Sequence, residues 1–234
     1  MSVILRTAAI SDRGKARENN EDAVHAGLRL IAVADGVGGG PSGEVASDIV
    51  IRSLAALDTD PPPESLSDGF ATANRRIREA IGARPELDGM GTTLTAMHAT
   101  GDGLELAHVG DSRAYLWRDG ELRQLSRDDT FVQGLVDEGV ISAAEARAHP
   151  RRSIVTQAMH GADVEPALAT LTPRPGDRYL LCSDGLSDYV DADAIAGTLS
   201  RYDDLDRCAR HLVDLALAEG APDNVTVVVA APDL

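Results

Sequence analysis

The stretch LRLIAVADGVGGGPSGE, residues 28–44, decides the fold of this chain. Residues 28–34 form a nearly unbroken apolar run of strand length, which ends at Asp35. The loop that follows is rich in glycine, so its backbone can turn sharply and approach a ligand closely. Beyond the loop, apolar residues recur at helical spacing, at Ala46, Ile49, Val50, Leu54 and Leu57. The pattern predicts a buried strand, an acidic turn and a helix.

The acidic turn does not fit a phosphate-binding loop. The G-x-x-x-x-G-K-[ST] pattern requires a lysine, and the stretch contains none. Asp35 at the strand end would also repel a phosphate group. A cation is therefore the better interpretation of what this turn binds.

The composition limits the domain count and the class of partner. A chain of 234 residues predicts one domain, spanning 1–234, with a substantial core. Only 3% of the residues are aromatic, so that core must be aliphatic. The net charge of −16 would repel nucleic acids and anionic membranes, so neither is expected as a partner. Nothing in the composition demands an oligomer, and a monomer is expected.

The sequence also favours a cytoplasmic location. It shows no apolar segment of signal-peptide type at its start and no run of about 18 uninterrupted apolar residues. The two cysteines, Cys182 and Cys208, stand alone in apolar patterns. They are expected to be core residues rather than a disulfide or a metal-binding pair.

The first half of the chain predicts two helices and several antiparallel strands. Residues 3–9 form a first strand, and residues 24–34 can form a hairpin that brings Asp22 and Asp35 to one sheet edge. A second helix is predicted at residues 66–81, paired with the first against a sheet. Short runs separated by Gly-Asp or Asp-Gly turns then indicate an antiparallel meander, at residues 91–99, 104–112, 113–120 and 121–125.

The second half begins with a polar insert, about residues 126–160. Two short helices are predicted in it, and the second opens with Ser142 and Glu145 at capping-box spacing and stops before Pro150. Strands resume afterwards at 165–171 and 179–182. Helices at about 192–199 and 203–218 precede a final strand that begins after Asp223 and Asn224.

Five aspartates lie at the ends of predicted strands: Asp22, Asp35, Asp111, Asp184 and Asp223. Collected at one edge, they would repel each other unless their pKa values rise or cations hold them together. Oxygen ligands without a His or Cys cluster select Mg²⁺ or Mn²⁺ rather than zinc. Two such ions about 3.5–4 Å apart can bind and activate a bridging water for attack on phosphorus.

Six short motifs follow one another along the chain: R-x-x-N-E-D at 17–22, A-D-G-V-G-G at 34–39, G-T-T at 91–93, V-G-D-S-R at 109–113, S-D-G-L-S-D at 183–188 and D-N-V-T at 223–226. Their order resembles the type 2C, or PPM, family of metal-dependent serine/threonine protein phosphatases. The resemblance covers about residues 6–231. The runs VQGLVDEG at 132–139 and EARAHP at 145–150 resemble the flap of the bacterial branch.

The resemblance implies an α+β fold, a four-layer α-β-β-α sandwich of two antiparallel sheets flanked by helices, with a small helical flap insert. It also implies a site for two Mn²⁺ or Mg²⁺ ions at the edge of the sandwich. By motif position, the direct ligands would be Asp22, Asp35, Asp184 and Asp223.

Four further roles are implied by the same motifs. The Gly36 carbonyl would complete the ligands of one ion, and Glu21 would act through bound water. Asp111, together with Asp184, would bind a weaker third ion; a cap at the end of a hairpin is the alternative for Asp111. Arg17 would hold the substrate phosphate with its planar fork of donors. An exposed arginine in a polar loop is the alternative there.

The implied activity is hydrolysis of phosphoserine and phosphothreonine by direct attack of a water that bridges two ions. Arg17, Asp22 and Asp35 would be the catalytic residues. Phosphoproteins are the implied substrates, and a cognate serine/threonine kinase is a further implied partner. The alternatives are a catalytically weak phosphatase-like regulatory or binding module and a phosphatase of a sigma-factor regulatory pathway.

Two positions depart from the family pattern. Val37 stands where eukaryotic relatives have a histidine, the proposed general acid, so water or another residue must protonate the leaving group. Asp129 stands where relatives often have a histidine, which adds negative charge at the entry to the insert. None of the six histidines falls at a motif position, and all are expected to be structural or exposed.

Overall fold

The computed structural model describes residues 3–37 and 42–234, which form two antiparallel sheets packed face to face. The first sheet has the order β1-β11-β10-β7-β8, with strands β1 (Ile4–Asp12), β7 (Arg113–Arg118), β8 (Glu121–Gln124), β10 (Arg178–Cys182) and β11 (Val225–Asp233). The second has the order β2-β3-β5-β6-β9, and β4 pairs with β3. Its strands are β2 (Asp22–Ala26), β3 (Leu30–Val37), β4 (Gly91–Thr92), β5 (Leu94–Thr100), β6 (Gly103–Val109) and β9 (Ala167–Leu171).

Helices cover the outer face of each sheet. The second sheet is covered by α1 (Gly43–Leu54) and α2 (Leu66–Ala83). The first sheet is covered by α6 (Ala192–Arg201) and α7 (Leu205–Ala218), and the short α5 (Asp184–Ser187) follows β10. The insert contains α3 (Phe131–Asp137) and α4 (Ala143–Ala148). The four-layer α-β-β-α fold is confirmed.

Strand β3 shows why its sequence is an unbroken apolar run. All five residues from Leu30 to Ala34 are fully buried, because the strand has a helical layer on one side and a second sheet on the other. Leu30, Ala32 and Ala34 pack with α1 and α2, whereas Ile31 and Val33 pack between the sheets. A strand buried on both faces has no position for a polar side chain.

Strand β11 follows the same rule in the other sheet. Val225, Val227 and Val229 pack with α6 and α7, and Val228 and Ala230 pack between the sheets. The described residues therefore form three largely aliphatic clusters, one under each helical layer and one between the sheets, in keeping with the low aromatic content.

Part of the predicted meander is wrong. The strands β5 and β6 pair with each other, and so do β7 and β8, but β7 belongs to the other sheet. The chain crosses between the sheets through Gly110, whose φ of +102° suits glycine. Local pattern specifies which strands form hairpins, whereas the choice of sheet depends on long-range packing. The predicted sharp turn at 38–41 lies outside the described residues.

The insert has the helical caps that its sequence predicts. Ser142 and Glu145 form a reciprocal capping box at the start of α4, which ends before Pro150. Two isolated bridges, Thr130 with Val155 and Thr92 with Met159, connect the return segment of the insert to its entry and to the body.

Both cysteines are buried and unpaired, as expected. Throughout residues 3–37 and 42–234, no helix has the length and apolar character needed to cross a bilayer.

A buried ion pair ties the end of β7 to the loop before β10. Asp177, 2% exposed, receives hydrogen bonds from Arg118 Nε and Nη2, both at 2.6 Å, and from the backbone of Arg174 at 2.8 Å. The hydroxyl of Tyr179 donates to it at 3.0 Å. Burial raises the pKa of Asp177, but these donors outweigh burial and leave the pKa below its ordinary value.

We expect Asp177→Asn to lower the free energy of unfolding by about 2–3 kcal/mol, because it leaves Arg118 without its buried counter-charge. Asp203→Asn is the matched control: Asp203 is fully exposed, so removing its pair with Arg178 should leave the urea midpoint unchanged. The pKa of Asp177 is lower in the folded state than in the unfolded state, where it is about 3.9. The contribution of Asp177 to the free energy of unfolding is therefore complete above the unfolded-state pKa and is lost as the pH falls through the folded-state pKa. The difference between wild type and Asp177→Asn should therefore shrink below about pH 4. Equal urea midpoints for the two variants at neutral pH would contradict this account.

Candidate functional site

The first pair of site residues is set by the register of two strands. Asp22, at the start of β2, lies directly opposite Asp35 near the end of β3. The predicted hairpin is therefore confirmed, and it brings these two carboxylates to the same edge of the second sheet. Thr92 and Thr93 support Asp35 from below: Thr93 Oγ1 accepts the Asp35 N–H at 3.0 Å, and Thr92 Oγ1 donates to the Asp35 carbonyl at 2.9 Å.

The first sheet contributes Asp184, which begins α5 directly after β10. The preceding residue joins the two sheets, because Ser183 Oγ donates to Asp22 Oδ2 at 2.8 Å and accepts the N–H of Thr226 at 3.0 Å. The other oxygen of Asp22, Oδ1, is buried and has no hydrogen-bond partner among the described residues. A buried carboxylate oxygen without a donor is stabilised when it binds a proton, a water molecule or a cation.

Asp111 lies at the corner where the chain passes from β6 to β7 and so from one sheet to the other. It is 8% exposed. Ser112, next to it, contacts Thr93 through an Oγ–Oγ1 hydrogen bond of 2.7 Å. Arg113 braces the entry to the insert by binding Asp128 with Nε and Nη2, at 2.6–3.0 Å. Thr92, Ser112 and Arg113 thus support the segments that carry Asp35 and Asp111.

Asn224 fastens the loop that carries Arg17 and Glu21. Its Nδ2 donates to the carbonyls of Arg13 and Asn19, at 2.9 and 3.0 Å, and its Oδ1 accepts the Glu21 N–H at 2.8 Å. This one amide holds both ends of the loop beside the end of β11. Sequence analysis gave Asn224 no role, although its place in the D-N-V-T motif was a signal.

Arg17 and Asp223 form an ion pair at the rim of the site. Arg17 Nη2 lies 2.7 Å from Asp223 Oδ2, and the arginine side chain is 52% exposed. The hydrogen bond to Asp223 raises the pKa of Arg17, so the guanidinium is fully charged. Half of its surface faces solvent, which leaves donors available to an incoming anion.

Seven of the eight predicted site residues line one cavity of about 190 Å³: Arg17, Glu21, Asp35, Gly36, Asp111, Asp184 and Asp223. Asp22 does not line this cavity and lies behind it, beside Asp35. Within residues 3–37 and 42–234, no group of three Asp, Glu, His or Cys side chains is close enough together to hold a metal ion. The carboxylates surround the cavity instead.

The backbone at Gly36 is packed too closely for any side chain. A Cβ there would clash with the backbone of Gly43, at 2.4–2.5 Å, and with the Glu21 carbonyl at 2.8 Å. Gly43 at the start of α1 and Glu21 just before β2 therefore both pack against the backbone of Gly36, and Gly36 lines the cavity.

The electrostatics of the cavity are those of crowded, buried acids. Burial, and then the neighbouring Asp22 and Asp184 charges, raise the pKa of Asp35 well above its ordinary value. Burial likewise raises the pKa of Asp22 to about 6 and that of Asp111 to about 7. The pKa of Asp184 is raised by burial and by the charges of Asp111 and Asp188. Such a cluster is stabilised by protons or by cations.

Asp188 is an acidic neighbour that sequence analysis missed. It lies one helical turn after Asp184, and Arg152 of the insert contacts it at 3.3 Å. With Asp111 and Asp184 it lines a second cavity of about 380 Å³ beneath α3 and α4. The spacing of Asp184 and Asp188, four residues apart, was the available signal.

The histidines are placed as expected. His98 and His108 are buried and hydrogen-bonded to the carbonyls of Leu57 and Arg127, at 3.0 and 2.9 Å. Among the described residues, no histidine lines the acidic cavity, and Val37 occupies the position beside Gly36.

Comparison with known proteins identifies the fold and the motifs. The family model "Protein phosphatase 2C" matches residues 13–222. The serine/threonine protein phosphatase PstP of Mycobacterium tuberculosis is 53% identical over 98% of this chain. The chain covers 45% of PstP, a little less than half of its length. The protein phosphatase PhpP of Streptococcus pneumoniae is 31% identical over 97% of both chains.

A solved structure agrees closely with this one. The catalytic domain of PstP in complex with two manganese ions is 50% identical and superposes with a TM-score of 0.92, covering 99% of each chain. Sequence motifs, sandwich architecture and these matches lead to one conclusion: the chain belongs to the protein phosphatase 2C family.

Proposed function

We propose that the chain is a metal-dependent protein phosphatase that hydrolyses phosphoserine and phosphothreonine in phosphoproteins. The observation that carries the proposal is the meeting of Asp35, Asp184 and Asp223 around one cavity, with Arg17 at its rim. Family membership supports the reaction class, and the manganese-bound PstP domain supports the choice of metal.

The residues present fit a pair of divalent cations. The donors are all oxygens, which hard ions such as Mn²⁺ and Mg²⁺ prefer. The unpartnered Oδ1 of Asp22 and the raised pKa values of Asp35 and Asp184 indicate an excess of buried negative charge. Three of the four proposed ligands, Asp35, Asp184 and Asp223, line one common cavity.

In this proposal Asp22, Asp35, Asp184 and Asp223 hold the two ions, and the Gly36 carbonyl completes one set of ligands. Glu21, which lines the same cavity, would act through bound water. Asp111 and Asp184 hold a third, weaker ion. The ions would supply an acidified water as nucleophile and neutralise charge on the phosphoryl oxygens.

Arg17 binds the phosphate in this mechanism. Its guanidinium points its donors at the cavity rim while Asp223 fixes its orientation at 2.7 Å. Two parallel N–H donors match two phosphoryl oxygens, which orients the phosphorus for in-line attack. Val37 has no proton to give, so water or another residue would protonate the leaving alkoxide.

The proposal extends to partners and location. Phosphoproteins are the substrates, a cognate serine/threonine kinase acts on the same sites, and residues 1–234 act as one monomeric catalytic domain with the insert at 126–160. A cytoplasmic location is supported by Cys182 and Cys208, which are both free thiols, as is usual in a reducing compartment.

The metal site is tested by Asp35→Asn and Asp184→Asn. Each should lower kcat for p-nitrophenyl phosphate and for a phosphothreonine peptide by about a hundredfold or more, because charge stabilisation of several kcal/mol is removed. Each should also reduce the rise in Tm that added Mn²⁺ gives the metal-stripped wild type. Asp119→Asn is the matched control, since Asp119 lies in a hairpin turn at φ +54°, which asparagine accepts.

Activity of the stripped protein should return with Mn²⁺ or Mg²⁺. Near-normal turnover in both aspartate variants would refute the site. Mn²⁺ binding by calorimetry without hydrolysis of either substrate would favour the catalytically weak binding module instead.

Arg17→Ala should lower kcat/KM by about 10–100-fold, since it removes a charge-assisted contact to the phosphate. Arg17→Lys should recover part of this loss, because it keeps the charge but not the fork of donors. Arg13→Ala tests the same loop at an exposed arginine, whose side chain donates a hydrogen bond to the Glu18 carbonyl at 3.2 Å. If Arg13→Ala and Arg17→Ala had equal effects, the phosphate role of Arg17 would be excluded.

A further inference from the structure

The insert carries a short basic segment directly before residues that line the acidic cavity. Residues 147–152, which we call the basic turn, have the sequence RAHPRR. The segment contains three arginines and no acid, in a chain whose acidic residues outnumber Lys and Arg by 38 to 22. Ser153, the next residue, and Val155 both line the acidic cavity. The basic turn therefore adjoins the proposed catalytic site.

Two of the three arginines have no carboxylate partner. Arg152 Nε lies 3.3 Å from Asp188 Oδ2, in the ion pair described above. Arg147 and Arg151, by contrast, have no Asp or Glu oxygen within 4.0 Å anywhere in residues 3–37 and 42–234. The excess of carboxylates in this chain does not neutralise them, so both charges remain for an external anion.

The guanidinium of Arg151 is held over an aromatic ring. Its Cζ lies 5.8 Å from the centroid of the Phe131 ring, and Arg151 is exposed. Contact with a ring face leaves the in-plane N–H groups of a guanidinium open, and these groups bind carboxylate and phosphate oxygens in pairs. The ring therefore orients Arg151 without occupying its donors.

Hydrogen bonds fix the backbone that carries these side chains. The N–H of Arg151 donates to His149 Nδ1 at 3.1 Å, and the N–H of Arg152 donates to the His149 carbonyl at 3.1 Å. Arg147 Nη2 donates to the Ser187 carbonyl at 3.2 Å, which ties the turn to α5. Because the turn is already ordered, a ligand that binds its arginines loses less entropy in the process.

The overall charge of the protein opposes the approach of a phosphopeptide. The chain has a net charge of −16, and the phosphate group is also negative. Nearby cations can offset this repulsion, because charges on a protein surface act over about 10 Å at 0.1 M ionic strength. In the proposed mechanism Arg17 binds the phosphate that is hydrolysed. The basic turn is then available to a second negative group of the same substrate.

The chain geometry places this second group a few residues from the phosphorylated one. Arg151 and Ser153 are two residues apart, so their Cα atoms lie within about 7 Å of each other. In an extended peptide, the second to fourth residues from the phosphorylated one are about 7–13 Å away from it. Arg147 lines the second cavity, which shares Asp111 and Asp184 with the acidic one. Both arginines are therefore near enough to meet a flanking side chain.

We propose that Arg147 and Arg151 bind an acidic side chain that flanks the phosphorylated residue of the substrate. The phosphorylated residue enters the acidic cavity, and a carboxylate two to four residues away on one flank contacts the basic turn. This inference rests on the proposed phosphatase function and adds a substrate class, namely phosphoprotein segments with an acidic flank.

The test measures hydrolysis of phosphothreonine peptides by the Mn²⁺-loaded protein. All peptides share one uncharged sequence, and each carries a single Glu or a single Gln at one of four positions on either side. At one or two neighbouring positions on one flank, kcat/KM should be about three- to tenfold higher with Glu than with Gln. This ratio should shrink as KCl is raised, because the arginines are exposed.

Three matched variants assign the preference to the basic turn. Arg147→Gln and Arg151→Gln each remove a charge and keep an amide donor, so each should lower the Glu/Gln ratio, and the double variant should bring it close to one. Arg207→Gln is the control, because Arg207 lies over the Tyr202 ring at 5.6 Å on α7, away from the insert. It should leave the ratio unchanged. All three should hydrolyse p-nitrophenyl phosphate, which has no flank, as the wild type does.

Charge reversal gives a gain of function that a merely structural role would not produce. Arg151→Glu should make the protein prefer Lys over Gln at the peptide position where the wild type prefers Glu. The Tm of each variant reports whether its fold is intact.

The outcomes separate this inference from the function on which it rests. If the wild type hydrolyses both substrates but shows no Glu preference at any position, the acidic-flank inference is wrong and the phosphatase stands. A preference that survives in the double variant, or that Arg207→Gln lowers equally, would also overturn it. No turnover of any substrate with Mn²⁺ would overturn the proposed function, and the inference with it.

Discussion

The register between β2 and β3 is the constraint on which the acidic site depends. It places Asp22 opposite Asp35, two carboxylates that burial and mutual repulsion would otherwise separate. A slip of one residue would turn Asp35 to the other face of the sheet. The slip is prevented because alternate residues of β3 belong to different aliphatic clusters, one under α1 and α2 and one between the sheets. Core packing thus supplies the free energy that holds like charges together.

The first sheet, which contains β10 and β11, completes the site through polar contacts across the sandwich. Ser183 reaches Asp22, and Asn224 fastens the loop of Arg17 and Glu21. These contacts join residues more than 150 positions apart in the chain, so the site exists only when both sheets are in place. Formation of the acidic cavity therefore depends on formation of the whole fold.

The features that could be predicted from the residues alone are those that depend on local sequence. The buried strand before Asp35, the helix α2, the capping box at Ser142 and the strand-end positions of the aspartates all have local causes, and the structure contains them. The four-layer arrangement came from the family resemblance, not from pattern. The transfer of β7 to the other sheet, the three bonds of Asn224 and the cavities beside the insert escaped prediction. Each depends on contacts between distant segments, about which the spacing of residues along the chain says nothing.

The position of the insert in the topology has a consequence for variation. It connects β8 with β9, and each of these is an outermost strand of its own sheet. A segment that joins two outer strands can lengthen, shorten or change composition without disturbing any interior ladder. By contrast, Asp35, Asp111, Asp184 and Asp223 lie on or next to interior strands, and Asp22 lies on the outer strand β2, where it is paired with β3. The insert can therefore vary in length and composition while these carboxylates keep their positions in the fold.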